Sequence, residues 1–346
     1  MQTHRMKITI VGLGAIGGLM AARLAAGGHA VSALARGATL AALSEHGVRL
    51  RSAGGEETAQ RIATSDSPAA LGPQDLVVIA LKGPALADVA PTLAPLLGPE
   101  TIVLPAMNGV PWWFVAADAQ ASAAVGCAPL ASVDPGGRIA AALPLERVLG
   151  CVVHLTCSSP APGVVQHGFG ERLVVGEPKG DLGTASARTR TLCAALAGAG
   201  FQAEASDDIR REIWYKLWGN MTMNPVSALT GALTDRILDD PLVHHFILRT
   251  MAEAAQIGAR IGCPIEQSGE ARMALTRQLG GFRTSMLQDA LGNRPLELDA
   301  LVGAVHEIGE RLGVDMPNIG ALLGLTRLMA QERGLYPREG SDMSVR

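Results

Sequence analysis

Near the amino terminus, Gly12-Leu13-Gly14-Ala15-Ile16-Gly17 follows a β-branched run, Lys7-Ile-Thr-Ile-Val11. A Gly-x-Gly-x-x-Gly between a strand and a helix is built to hold a pyrophosphate. The first glycine permits the tight turn, the second lets the backbone approach the phosphates, and the third lets helix and strand pack closely. The helix then meets the anion with its free N–H groups and the positive end of its dipole. Taken alone the motif is weak in a chain with 41 glycines; its place in a first β-α-β unit is what makes it a dinucleotide signal.

Which dinucleotide is read at the end of the second strand, where NAD proteins commonly carry Asp or Glu for the ribose hydroxyls. Here the residues are Leu34-Ala35-Arg36-Gly37, with no carboxylate until Glu45. The planar, multi-donor guanidinium of Arg36 suits a 2′-phosphate, which favours NADP. Lys82 and Asn108 each follow a further strand, and strand carboxyl ends are where open α/β sheets bind ligands. Either could contact cofactor or substrate. Equally, Lys82 fits a solvated surface position and Asn108-Gly109 an ordinary turn pair.

A second constellation lies in Glu212-Ile-Trp-Tyr-Lys216-Leu-Trp-Gly-Asn220-Met-Thr-Met-Asn224-Pro225. Lys216, Asn220 and Asn224 are four apart and so share one helix face. That face carries one ammonium and two amides among apolar neighbours at 214, 217, 218, 221 and 223. A polar stripe in such surroundings needs partners or a ligand, although a solvated helix surface has the same spacing. Asparagine is a mediocre helix former, which points to a purpose. Pro225 cannot donate to the Met221 carbonyl and can kink the helix. Ser285-Met-Leu-Gln-Asp289 and Glu297 set further polar groups among apolar ones, and individually they say little.

The elements that must position these groups fall into two classes. Strands are expected at 7–11, 30–34, 76–80 and 101–104, with helices at 18–26 and 84–97 between them. That alternation implies a parallel sheet covered on both faces. From residue 147, short strands at 147–155, 163–167 and 172–175 read as a hairpin extension of the same sheet, followed by a helix at 185–199 and a strand at 201–204. After Ser206 the segments 208–230, 241–262, 267–292, 296–313 and 317–333 favour helix. The expected architecture is therefore α/β: a Rossmann-type, doubly wound amino-terminal domain over 1–205, then an all-α domain over 206–346. Residues 1–5 and the polar tail from Pro337 read as frayed ends.

Bulk properties narrow the function. With 346 residues, 48% of them hydrophobic and 18% charged, the chain can fill two cores. A net charge of −3 argues against a nucleic-acid partner. Apolar stretches are too short to span a bilayer, and the start lacks a signal-peptide pattern. Five scattered cysteines form no metal or disulfide spacing. These features predict a cytoplasmic protein with a small-molecule ligand, no membrane and no metal. A long helical domain is also suited to a homodimer interface.

In this order, the motif at 12–17, Arg36, Leu81-Lys82, Asn108-Gly109, the W-x-K-x-x-x-N-x-x-x-N-P run at 214–225, Ser285–Asp289 and Glu297 resemble the ketopantoate reductase (2-dehydropantoate 2-reductase) family, over about residues 6–320. The resemblance implies NADPH-dependent reduction of a 2-oxo acid, giving pantoate on the route to pantothenate and coenzyme A. It implies that Lys216 is the acid, aided by Glu297 near the cofactor and the lysine. Asn220, Asn224 and Ser285 would bind substrate, Asn108 both ligands, and Thr156 the cofactor through its backbone. Two other readings are a reductase of a different 2-oxo acid or ketone, and a non-catalytic dinucleotide-binding regulator. The intact Lys216 face argues against the last. One departure stands out: Val110-Pro-Trp-Trp-Phe114 and the long stretch through Ser132–Gly137 exceed the family pattern. Trp112 and Trp113 there could cover the site or pack an insertion.

Overall fold

The computed structural model describes residues 5–179 and 184–338. Of the ends expected to fray, 1–5 and the tail from Pro337, residues 1–4 and 339–346 lie outside the described residues. The described chain clusters into two compact units. One comprises the residues up to Ala117 with Asp134–Glu212, and the other comprises Asp118–Val133 with the residues from Ile213 onward.

The first unit opens as expected, with β1 (Lys7–Val11), α1 (Ala15–Ala26) and β2 (Ala30–Leu34). There follow α2 (Gly37–His46), β3 (Val48–Arg51), β4 (Glu57–Gln60), β5 (Ala63–Ser65) and the single-turn α3 (Pro68–Leu71). Next come β6 (Gln74–Ile79), α4 (Gly83–Val89) and β7 (Leu97–Pro105). The helix anticipated over 84–97 is α4 followed by a tighter turn at Ala90–Leu96, where Pro91 and Pro95 withhold N–H donors. Beyond α5 (Ala119–Val125), which belongs to the other unit, the chain forms α6 (Arg138–Ala142), β8 (Gly150–Ala161), β9 (Val164–Gly176), α7 (Ala187–Gly198) and β10 (Gln202–Ser206).

Five strands make a parallel sheet in the order β5-β2-β1-β6-β7. Leu76, Val77, Val78 and Ile79 are wholly buried, as a strand covered on both faces requires. The strands after residue 147 do not extend this sheet, and that expectation is corrected. β8 and β9 pair antiparallel along their length, while β10 and β3 lie end to end on the other edge of β9 and β4 pairs with β3. A parallel bridge from Val103 to Val148 joins the hairpin region to the first sheet.

The reason for a second sheet lies in α1. Its sequence, Ala-Ile-Gly-Gly-Leu-Met-Ala-Ala-Arg-Leu-Ala-Ala, is apolar on nearly every face, so one sheet cannot cover it. It packs on β1 and β2 on one side and on β3, β8 and β9 on the other. Gly18 allows this approach, since a Cβ there would stand 2.4 Å from Val165 Cγ2. The one charge, Arg23, pairs with Glu171 at 2.8 Å, donates to the Gly200 carbonyl and stacks over Phe201.

The second unit is helical among its described residues. It contains α8 (Ile209–Thr230) from Ile213 onward, α9 (Thr234–Asp239), α10 (Pro241–Arg260), α11 (Gly269–Gln278), α12 (Ser285–Leu291), a π-turn at Asp299–Gly303 leading into α13 (Ala304–Leu312), and α14 (Pro317–Glu332). The single helix anticipated at 267–292 is two. The chain breaks at Gly280-Gly281, where Thr234 Oγ1 donates to the Gly280 carbonyl and accepts from Phe282 N. Buried Glu253 on α10 accepts from the backbone N–H groups of Asn318 and Ile319 and so caps α14. Among the described residues no helix is long and apolar enough to cross a membrane.

The insertion after Trp113 is anchored within this unit. Asp118 caps α5 by accepting from Ala121 N. Glu307 on α13 accepts from Ala131 N, Ser132 N and Ser132 Oγ, and Arg311 donates to the carbonyls of Ala128 and Pro129. Burial tends to raise the Glu307 carboxyl, but Ser132, Ala131 and Arg311 together hold it below the usual carboxylate range.

Candidate active site

In the parallel sheet every strand points the same way, so the loops after β1, β2, β6 and β7 leave from one edge. That edge gathers Gly12-Leu13-Gly14-Ala15-Ile16-Gly17, Arg36, Lys82 and Asn108. β1 has β2 on one side and β6 on the other, so the connections diverge here. A sheet of this type binds its ligand at such a switch point.

The three glycines meet three different demands. Gly12 adopts φ +95°, and a Cβ there would lie 2.8 Å from the Ala80 carbonyl oxygen. Gly17 crosses the turn so closely that a Cβ would stand 1.9 Å from the Gly12 oxygen. A Cβ on Gly14, by contrast, would meet nothing within 4 Å. Gly14 is the N-cap of α1 and no side chain caps it there. The fold needs the first and third glycines; the second is left open where a pyrophosphate would approach. These residues therefore fit a dinucleotide.

Arg36 is exposed at the end of β2, and among the described residues it forms no ion pair. Lys82 starts α4 and is half-buried, as is Asn108. Thr156 lies elsewhere in this unit, on β8 of the second sheet, where its Oγ1 accepts from Phe169 N at 2.9 Å. Trp112, Trp113 and Phe114 are buried. Trp113 packs against Gly150, and the Phe114 ring lies under Arg210, whose Nε donates to the Phe114 carbonyl at 3.0 Å. Of the two readings of this aromatic segment, the structure supports packing.

In the helical unit, α8 runs unbroken through Pro225, so Lys216, Asn220 and Asn224 do share one face. Lys216 and Asn220 are half-buried and Asn224 is 6% exposed. The structure brings Ser285 to this stripe, with Asn224 Nδ2 3.4 Å from Ser285 Oγ. Ser285 is placed there because Thr284 caps α12 by accepting from Leu287 N, which makes Ser285 the first helical residue.

Glu297 stands two residues before the π-turn, in a segment tied down at both ends. Asp289 pairs with Arg294 Nε at 2.9 Å, and Leu296 N donates to the Leu335 carbonyl. Past it, burial raises the Asp299 carboxyl above its ordinary value, opposed by the hydrogen bond from Tyr336 and by Arg327. A π-turn of this kind often marks a functional site.

Sequence reasoning missed the Asp289–Arg294 staple and the Glu307 brace, because each partner looks like an ordinary surface charge. It also missed Arg272 on α11, whose guanidinium lies against α8 over Tyr215 and Gly219. Gly219 was an available signal, since glycine inside a helix is unfavourable by about 1 kcal/mol relative to alanine.

Known proteins resemble the chain along nearly its whole length. The profile of the ketopantoate reductase PanE/ApbA family matches residues 8–180, and that of the ketopantoate reductase PanE/ApbA C terminal matches residues 208–330. A 2-dehydropantoate 2-reductase of Mesorhizobium japonicum is 42% identical over 96% of this chain and 100% of its own. A crystal structure from Ralstonia solanacearum MolK2, assigned to the ketopantoate reductases, superposes with a TM-score of 0.90 at 57% identity, covering 95% of this chain and 99% of that one. A D-mandelate dehydrogenase, solved with NADH and anilino(oxo)acetate, shares the fold with a TM-score of 0.80 at 21% identity, over 95% of this chain and all of its own.

Proposed function

Because this chain belongs to the ketopantoate reductase family, an oxidoreductase family using a nicotinamide dinucleotide, we propose that it reduces 2-dehydropantoate to pantoate with NADPH, on the route to pantothenate and coenzyme A. The observation that carries this reading is the α8 face: Lys216, Asn220 and Asn224 in register, with Ser285 brought against Asn224.

The glycine turn cradles the pyrophosphate, Arg36 takes the 2′-phosphate, and Lys82 and Asn108 contact the cofactor from the same sheet edge. Thr156 adds a backbone contact. The bound cofactor supplies the hydride that reduces the C2 carbonyl. As charge builds on the carbonyl oxygen, Lys216 polarises it and delivers a proton. General acid catalysis of this kind is worth roughly 100- to 10,000-fold in rate. Glu297 favours the ammonium form of Lys216. Asn108, Asn220, Asn224 and Ser285 hold the polar groups of the oxo acid and so fix the angle of attack.

A panel of 2-oxo acids and ketones, followed by NADPH absorbance, tests the reading. The expected result is the highest kcat/KM for ketopantoate. Faster turnover of another oxo acid would reassign the substrate. No turnover of any, with NADPH still tightly bound, would make the protein a dinucleotide-binding regulator.

A further inference from the structure

Glu297 lies on backbone that belongs to neither α12 nor the π-turn at Asp299–Gly303. No repeating hydrogen-bond ladder therefore sets its place, and its position depends on what its neighbours bond to. Leu296 and Leu298 on either side are buried, and Glu297 between them is half-buried. The bonds that hold this segment come from the far end of α14.

That helix ends in a left-handed turn. Gly334 takes φ +68°, its N–H donates to the Gln331 carbonyl, and the Leu335 N–H donates to the Ala330 carbonyl at 2.7 Å. This paired closure ends the helix and reverses the chain, and Leu335 is buried as it turns back. Three hydrogen bonds then tie the turn to the Glu297 region. Arg333 Nη2 donates to the Ala290 carbonyl in α12, the helix that opens with Ser285. The Leu335 carbonyl accepts from Leu296 N at 3.0 Å, and the Tyr336 hydroxyl donates to Asp299 Oδ1. Adjacent residues 335 and 336 thus grip the chain immediately before Glu297 and two residues after it.

The Tyr336 contact is more than the helix end requires. The turn at Gly334 and the burial of Leu335 already close α14. Asp299 opens the π-turn, with Ala304 N reaching back five residues to its carbonyl, an irregularity often found at functional sites. We propose that Tyr336 is a positioning residue: by holding Asp299, it and the turn after α14 fix Glu297 for its work beside Lys216. The inference rests on the reductase reading above. It extends the site to a residue at the carboxyl-terminal end of the described chain, one that touches neither substrate nor cofactor.

Tyr336→Phe in the full-length protein removes one hydroxyl and keeps the ring. It should lower kcat about tenfold, within the loss of about 100-fold that a misplacement of about 1 Å can bring. KM for ketopantoate and NADPH affinity should stay within about twofold. Placed in a Glu297→Gln background, the same substitution should lower kcat no further, because both changes act through one group. Wild-type kcat in Tyr336→Phe, or losses that multiply in the double variant, overturn the proposal, since a strap that served stability alone would give one or the other. If Tyr336→Phe fails to fold, Asp299 variants serve: Asp299→Asn keeps an acceptor and should hold kcat within about threefold, whereas Asp299→Ala should lose about tenfold. Equal kcat in those two overturns it as well. Amide hydrogen exchange tests the placement apart from turnover. Tyr336→Phe should speed exchange across 294–303 about tenfold or more and leave 213–230 unchanged; unchanged exchange across 294–303 overturns the proposal. If exchange there rises but the wild type reduces no oxo acid, Tyr336 still fixes the Glu297 segment and the reductase reading falls. If the wild type reduces ketopantoate and Tyr336→Phe changes neither kcat nor exchange, this inference alone falls.

Discussion

At the carboxyl end of the parallel sheet the residue pattern is set by backbone sterics, whereas along α8 it is set by the side chains that share one face. Gly12 and Gly17 are dictated by atoms a few residues away or on the adjacent strand, at 2.8 and 1.9 Å from a hypothetical Cβ. Asn224 finds its partner in Ser285, 61 positions further along the chain. Steric rules of the first kind leave a motif in the sequence. Contacts of the second kind leave only residues of suitable type, whose meeting depends on how helices pack. The two regions should therefore respond differently to substitution.

The largest effect is expected at the side-chain region. Lys216→Ala should lower kcat roughly 100- to 10,000-fold, with NADPH affinity by fluorescence titration within about twofold of wild type, since removing a proton donor leaves the pyrophosphate contacts in place. Near-normal turnover would remove Lys216 from the proposed mechanism. Next in size, the glycine turn can be split into its two demands. Gly17→Ala should destabilise the fold by about 1–3 kcal/mol through overpacking and lose NADPH binding. Gly14→Ala should leave the melting temperature unchanged and still weaken NADPH binding about tenfold or more, because its Cβ meets only the incoming phosphates. Equal melting losses in both variants would erase the distinction between what the fold needs and what the ligand needs.

Cofactor choice should move less. Arg36→Asp should raise KM for NADPH about 10- to 100-fold, the range for losing a charge-assisted phosphate contact, with a much smaller change for NADH. Equal changes would refute the 2′-phosphate assignment.

The smallest effect concerns the Glu307 brace. Its carboxyl is held below the ordinary value of 4.5. A group depressed in the folded state contributes stability above its unfolded value and loses it as pH falls through the folded value. Wild-type melting temperature should therefore drop as pH falls below 4.5, and Glu307→Gln should flatten that drop. The variant should cost about 1–2 kcal/mol at neutral pH. A Glu307→Gln profile parallel to wild type would mean the brace contributes nothing pH-dependent.

Much of the fold was legible in the sequence. β1 stands where its β-branched run places it, β2 occupies the expected 30–34, and the helices after residue 208 fall in the segments that favour helix. β3 and β4 were not legible, because Val-Arg-Leu-Arg and Glu-Thr-Ala-Gln are short and polar, with no alternation long enough to register. Arg272 was hidden for another reason: an arginine on an amphipathic helix looks solvated until its neighbours are known.

The sequence by itself determined the glycine turn, the cationic end of β2 and the four-residue spacing of Lys216, Asn220 and Asn224. Each of these is a matter of local geometry, set by sterics and helical period within a few residues. Only the tertiary structure decided that the strands after residue 147 form a second sheet over α1, that the Trp112–Phe114 segment is core, and that Ser285 and Arg272 meet α8. Edge pairing and helix packing join residues far apart in the chain, and nothing in a local pattern says which edge or which face will be covered.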